Sequence, residues 1–205
     1  MDRLDIKSVS KKTDLMPVLR SALSDYIECY GDFVSVVETR LGQISKEMVR
    51  SCNYFQEKSE DEITFHIISH FKGWGFWAQH DSMIGGHVDI SIEYDDYLWM
   101  AEAKIHSSYL TLQRGWEQLN SRYSTGMKDE DRGAFLIYNF NKNALSVTKE
   151  WRLRLQEFYP DLTFAPYNEQ DLDFRTNGKH VKSGRDFFVT HFNIPLHFDP
   201  KDREM

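Results

Sequence analysis

The sequence predicts an α/β fold, a mixed central sheet flanked by helices and preceded by an N-terminal helical hairpin. Three observations carry this expectation. Apolar residues recur at spacings of three and four within the first 57 residues. From residue 59 the pattern alternates between helical and strand periods. The run Gly133 to Phe140 is apolar almost throughout, as a strand covered on both faces is. The expected division is 1–57 for the hairpin, packed on the core, and 58–205 for the main domain.

The first helix is expected to open at Pro17 and close at Gly31, with Leu19, Leu23, Ile27 and Tyr30 on or near one face. Asp32 is placed to cap a second helix whose stripe is Phe33, Val37, Leu41, Ile44 and Met48. That stripe either packs on the rest of the chain or forms a surface for a homodimer or a partner protein.

Ser59 to Phe71 reads as a helix, ended by Lys72, Gly73 and Gly75. Phe76 to His80 is a short strand, followed by a turn at Gly85 and Gly86. In His87 to Tyr94 the apolar residues Val88, Ile90, Ile92 and Tyr94 alternate with His87, Asp89, Ser91 and Glu93, as in a half-buried strand. Asp95 and Asp96 turn the chain, and Tyr97 to Ile105 returns as the second arm of a hairpin. A helix from Leu110 to Tyr123 follows, then a polar loop, Ser124 to Arg132, and the buried strand. Leu145 to Phe158 reads as a helix, with further strands at Leu162 to Ala165 and Asp186 to Phe192.

Composition removes several classes of function. With 40% apolar and 14% aromatic residues the chain is globular. No apolar run reaches the roughly 20 residues that span a bilayer, and the first residues lack the apolar core of a secretion signal, so the expected location is the cytoplasm. Cys29 and Cys52 are too few for a disulfide framework and are expected as free, mostly buried thiols. A net charge of −7 argues against coating nucleic acid through a global positive field. It is compatible with an enzyme whose carboxylates hold a divalent cation, because the cation then supplies the local positive charge.

The chemistry is concentrated in HVDISIEYDDYLWMAEAKI. Side chains alternate along a strand, so Glu102 and Lys104 share a face, and the hairpin brings Asp89 towards them. Two neighbouring carboxylates repel unless a cation lies between them, and oxygen ligands suit magnesium or manganese. A protonated lysine binds no metal, but it can orient or help deprotonate a water, or offset charge on a phosphate.

Asp89, a gap of twelve residues and Glu102-Ala103-Lys104, preceded by Gly85-Gly86, resemble the PD-(D/E)xK nuclease superfamily, with its restriction-endonuclease-like fold. The order helix, three strands, helix, strand over residues 59 to 140 matches that family's core. Val88 stands where the name-giving proline would be; that proline shapes the backbone and carries no reacting group. The resemblance implies that Asp89 and Glu102 bind Mg2+ or Mn2+ and that Lys104 assists the nucleophilic water. It implies hydrolysis of phosphodiester bonds, usually in DNA, with RNA left open. It also implies a glutamate on the preceding helix as a further metal or water ligand, and a glutamine on the following helix. Gln118, beside the buried face formed by Trp116, Leu119 and Tyr123, fits the latter.

For the glutamate the choice lies among Glu57, Glu60 and Glu62. Ser59 and Glu62 form a capping box, which gives Glu62 a local task. At about 100° per residue Glu60 falls about 20° from Ile67 and from Phe71, within the apolar arc, where a carboxylate needs a partner. Glu60 is therefore the expected additional metal ligand.

Other signals carry less. His66 and His70 have a spacing that can chelate zinc, but the catalytic glutamate of HExxH is missing, and both are expected at the solvated edge of their helix. His87 is either a strand histidine or part of the site entrance. Arg175, Lys179, His180, Lys182 and Arg185, punctuated by Gly178 and Gly184, read as a loop. That loop is either solvated or touches a nucleic-acid backbone through Lys179, Lys182 and Arg185. The expected function is a metal-dependent nuclease, as found among bacterial defence effectors. The alternative is a catalytically silent module of the same fold that binds nucleic acid or assembles a complex.

Overall fold

Alternating strands with apolar residues on both faces require a cover on each side, and the described residues supply it with two pairs of helices. The computed structural model describes residues 26–84 and 86–201. The expected first helix lies outside them, except for its closing residues. Gly31 does not end a helix; it sits in the first turn of α1, Tyr30–Arg50. Asp32 does cap α1, but from its third position, accepting the Cys29 N–H at 3.1 Å. Cys29 is exposed and Cys52 partly so, both free, which corrects the expectation of buried thiols.

After a 3-10 turn at Cys52–Phe55, the order is α2 (Glu60–Gly73), β1 (Trp77–Gln79), β2 (Ser82–Met83), β3 (His87–Val88), β4 (Ile90–Tyr94) and β5 (Tyr97–Ile105). Then follow α3 (Tyr109–Glu117), running directly into a π-helical segment (Gln118–Tyr123), β6 (Arg132–Asn139) and α4 (Ala144–Phe158). The remainder is β7 (Thr163–Phe164), β8 (Asp173–Lys179) and β9 (Asp186–Pro195). The seven-stranded sheet has the order β1-β4-β5-β6-β9-β8-β7. Its centre, β5-β6-β9, is parallel, and both margins are antiparallel, so the sheet is mixed. No helix among the described residues is long and apolar enough to cross a membrane.

Alternation along the central strands builds two cores. Ala134, Leu136 and Tyr138 of β6 face α1 and α2, whereas Phe135 and Ile137 face α3 and α4. The stripe Phe33, Val37, Leu41, Ile44 and Met48 is fully buried in the first of these cores. That leaves it no free face for a second copy, which decides between the two uses the sequence left open.

Two further expectations are corrected. His87 to Tyr94 is not one strand: the chain bends at Asp89, and β3 leaves the main sheet to pair with β2 in a separate ribbon. The cause is local. Ala103 N–H donates to the Asp89 carboxylate at 2.9 Å, so a side chain takes the hydrogen bond that a straight strand would take with its backbone. Nor is the basic segment a loop throughout, because Arg175 and Lys179 lie in β8. His180 is buried, its Nε2 at 2.9 Å from Ser124 Oγ, and so is absent from the surface cluster.

Candidate active site

The site lies where the C-terminal half of β5 meets the start of α2 and the flank of α3. Glu102 and Lys104 point to the α3 side of the sheet, since the intervening Ala103 belongs to the core under α1 and α2. Glu60 is the first residue of α2, whose start is fixed by the expected capping box: Glu62 N–H donates to Ser59 Oγ, and Ser59 N–H to Glu62 Oε2. Farther along α2, Thr64 and Tyr138 share a buried hydrogen bond of 2.9 Å, which ties the helix to β6. Held in this way, Glu60 reaches the strand end and accepts the Ile105 N–H at 2.7 Å.

Four oxygens converge on the Lys104 ammonium. Glu102 Oε1 lies at 2.7 Å, the Ala103 carbonyl at 2.9 Å, Glu60 Oε1 at 3.2 Å and Asp89 Oδ2 at 3.5 Å. Thus the structure brings Asp89, Glu102, Lys104 and Glu60 together from three separate elements. Gln118 lines a groove beside them, in common with Lys104.

Burial sets the electrostatics. Glu102 is 1% exposed, and desolvation, aided by the Asp89 charge and opposed by Lys104, pushes its carboxyl up to about 8. Desolvation also works against the Lys104 charge, but Asp89, Glu102 and Glu60 outweigh it and hold the ammonium above the ordinary lysine range. In this coupled pair the amine keeps its proton and the carboxyl bears the penalty of burial. The other oxygen, Glu102 Oε2, is buried without a hydrogen-bond partner. Such an atom is costly unless something binds it.

With the Glu102 carboxyl pushed up, Asp89 and Glu60 still outnumber the one ammonium, and the oxygens of Asp89, Glu102 and the Ala103 carbonyl are hard donors of the kind a divalent cation takes. Among the described residues no group of three or more His, Cys, Asp or Glu is arranged to hold a metal by those side chains alone. What the three carboxylates have in common is the ammonium.

Sequence reasoning missed Gly115. A Cβ there would come within 2.7 Å of Lys104 Cγ and 2.9 Å of Phe135 Cε2, so only glycine lets α3 lie this close to β5. A glycine inside a predicted helix was the available signal, since it costs about 1 kcal/mol relative to alanine in a helix interior. Thr64 and Tyr138 gave no signal, because a threonine on an apolar helix face does not reveal its partner.

Other candidates fall elsewhere. His87 pairs with the exposed Asp81, Nδ1 to Oδ1 2.6 Å, rather than joining Asp89. His66 and His70 are half-buried rather than solvated, with ring centroids 4.8 Å apart, and burial and then His70 lower the His66 pKa. Lys179 pairs with Asp186 at 2.9 Å. Arg185 lies in the exposed turn between β8 and β9. Lys182 Nζ donates to the Arg122 carbonyl at 2.9 Å, which sets that turn against the π-helical segment. No family model, curated protein or solved structure matches the chain.

Proposed function

We propose that the chain is a metal-dependent nuclease of the PD-(D/E)xK type with a restriction-endonuclease-like core, hydrolysing phosphodiester bonds, most readily in DNA. The observation that supports this reading best is the convergence of Asp89, Glu102 and Glu60 on the Lys104 ammonium at the end of β5, with Glu102 Oε2 left buried and unpartnered. The element order α2, β1, β4, β5, α3, β6 supports it as well.

Asp89 and Glu102 would hold Mg2+ or Mn2+, with the Ala103 carbonyl as a neutral third donor. When bound, the cation would polarise a phosphoryl oxygen and lower the pKa of a water. Asp89 is steadied for this by the Ala103 N–H, and Glu60 by the Ile105 N–H. Lys104, held protonated, donates to the attacking water or to a phosphate oxygen and offsets the charge that builds there. That makes it an electrostatic and orienting group rather than a base. Gln118 offers an amide to the same phosphate from the groove wall.

Incubation with supercoiled plasmid in Mg2+ or in EDTA tests the reading. Nicked or linear product is expected with Mg2+ only, and none from Asp89→Asn. Hydrolysis that persists in EDTA or in Asp89→Asn would remove the cation from the reaction. Metal-independent binding with no cleavage of DNA or RNA would assign the chain to the silent-module class instead.

A further inference from the structure

A groove of about 500 Å³ opens beside Lys104, and the functional reading does not use most of it. Its walls are Thr111, Arg114, Glu117, Gln118, Ser121 and Arg122. Arg114 and Arg122 are exposed, and among the described residues neither has a carboxylate partner. Glu117, the only acid among the described residues that wall the groove, accepts from the Tyr159 hydroxyl at 2.8 Å and from Gln113 Nε2 at 3.2 Å and sets one negative charge against two arginines. The excess charge in this groove is therefore positive, on a chain whose net charge is −7.

The helix geometry explains why the two arginines share one wall. In a regular α-helix, residues 114 and 122 would lie about 80° apart at about 100° per residue. From Gln118 the winding changes to π, closed by the Ser124 N–H donating to the Leu119 carbonyl five residues back at 3.2 Å. Taking about 80° per residue through the wider turn, Arg122 returns to within about 10° of Arg114, with Gln118 about 40° to the side. The π turn thus converts a spiral of polar residues into a row of donors that starts next to Lys104. Lys182, whose Nζ donates to the Arg122 carbonyl, brings a third cation beside that end of the helix.

We propose that this row is the track for the phosphodiester backbone of a nucleic-acid strand, with phosphates along the strand on Arg114, Arg122 and Lys182 and a neighbouring phosphate delivered to Lys104. The inference rests on the nuclease reading, since the row leads to that site. The contacts are to phosphate and sugar, so they position the strand and carry no sequence preference. The sequence-level candidates Lys179 and Arg185 are outside the track, and Arg114 and Arg122 replace them.

The test is equilibrium binding of a labelled oligonucleotide by fluorescence anisotropy across a salt series. It uses the full chain and the variants Arg114→Gln, Arg122→Gln and Lys182→Gln, with Lys179→Gln as the comparison. Single-stranded DNA, duplex DNA and RNA form separate arms, and circular dichroism checks that each variant is folded. Each track variant is expected to weaken binding several-fold irrespective of base sequence. The slope of log affinity against log salt should become shallower by about one per residue removed, with Lys179→Gln unchanged. Track variants that bind with the wild-type affinity and slope, or a wild-type chain that binds none of the three nucleic acids, would overturn the proposal. Because the readout is binding, an arginine-dependent complex without cleavage would refute hydrolysis while the track stands.

Discussion

The Lys104 ammonium has four oxygen neighbours and a side chain pressed between β5 and α3. Because it stays charged, its contribution belongs to the transition state, where negative charge grows on the phosphate. Lys104→Ala should therefore lower kcat by at least about 100-fold with little change in KM. A plasmid-cleavage time course under saturating substrate measures this, and an unaltered kcat would take Lys104 out of the reaction. The neighbouring glutamates on α2 separate in a different way. Glu60 reaches Lys104 and Ile105 N–H, whereas Glu62 is spent on Ser59 and on Lys58, 2.7 Å away. Glu60→Gln should lose cleavage and keep its melting temperature; Glu62→Ala should melt earlier and still cleave. The opposite pairing in melting and cleavage assays would show that the helix face is assigned to the wrong residue.

At the scale of the element, α3 and its π extension decide how the site is walled. Gly115 permits the approach of α3, and the Ser108 hydroxyl caps its start by accepting the Thr111 N–H at 3.2 Å. Gly115→Ala adds one methyl group against Lys104 and Phe135 and removes a helix-interior glycine. Overpacking of about 1–3 kcal/mol should outweigh the gain of about 1 kcal/mol in helix propensity. Both the urea midpoint and kcat should fall, the second because Lys104 must move. A variant more stable than the parent with full activity would mean that the helix can slide without cost. Nothing in WEQLNSRY marks the change from α to π winding, since both present Trp116, Leu119 and Tyr123 to the core. Trp116 and Leu119 pack in the core under α4, and Tyr123 packs with Val88 of the ribbon and Met100 of β5.

The core under α3 and α4 holds a buried histidine. His191 of β9 is buried under α4, stacked on Phe174 at 4.3 Å. Its Nδ1 accepts from Trp151 Nε1 at 3.2 Å, and Thr176 Oγ1 lies 3.0 Å from Nε2. Burial lowers its pKa from 6.5 to about 3. Between those values the unfolded chain binds a proton that the folded chain does not, so stability falls as the pH drops through that window. His191→Gln cannot take up the proton, and its urea midpoint should depend less on pH than the parent's between about pH 6.5 and 3. Parallel curves for the two proteins would show that His191 is not the group responsible.

The sequence by itself determined the periodicities and hence the helices, most strands, the buried course of β6 and the pairing of Ser59 with Glu62. These follow from spacing along the chain, and spacing survives without a fold. It also put forward Asp89, Glu102 and Lys104 through their spacing and the resemblance it carries, and Glu60 through its place on the apolar arc of its helix. Only the tertiary structure decided that Asp89 breaks its strand, that β8 replaces a loop and that the apolar stripe of α1 is already covered. It alone aligned Arg114 with Arg122 and left Glu102 Oε2 without a donor. The bend at Asp89 and the cover over α1 depend on atoms of residues distant in sequence. Such contacts arise from close packing of the whole chain, which no local pattern encodes.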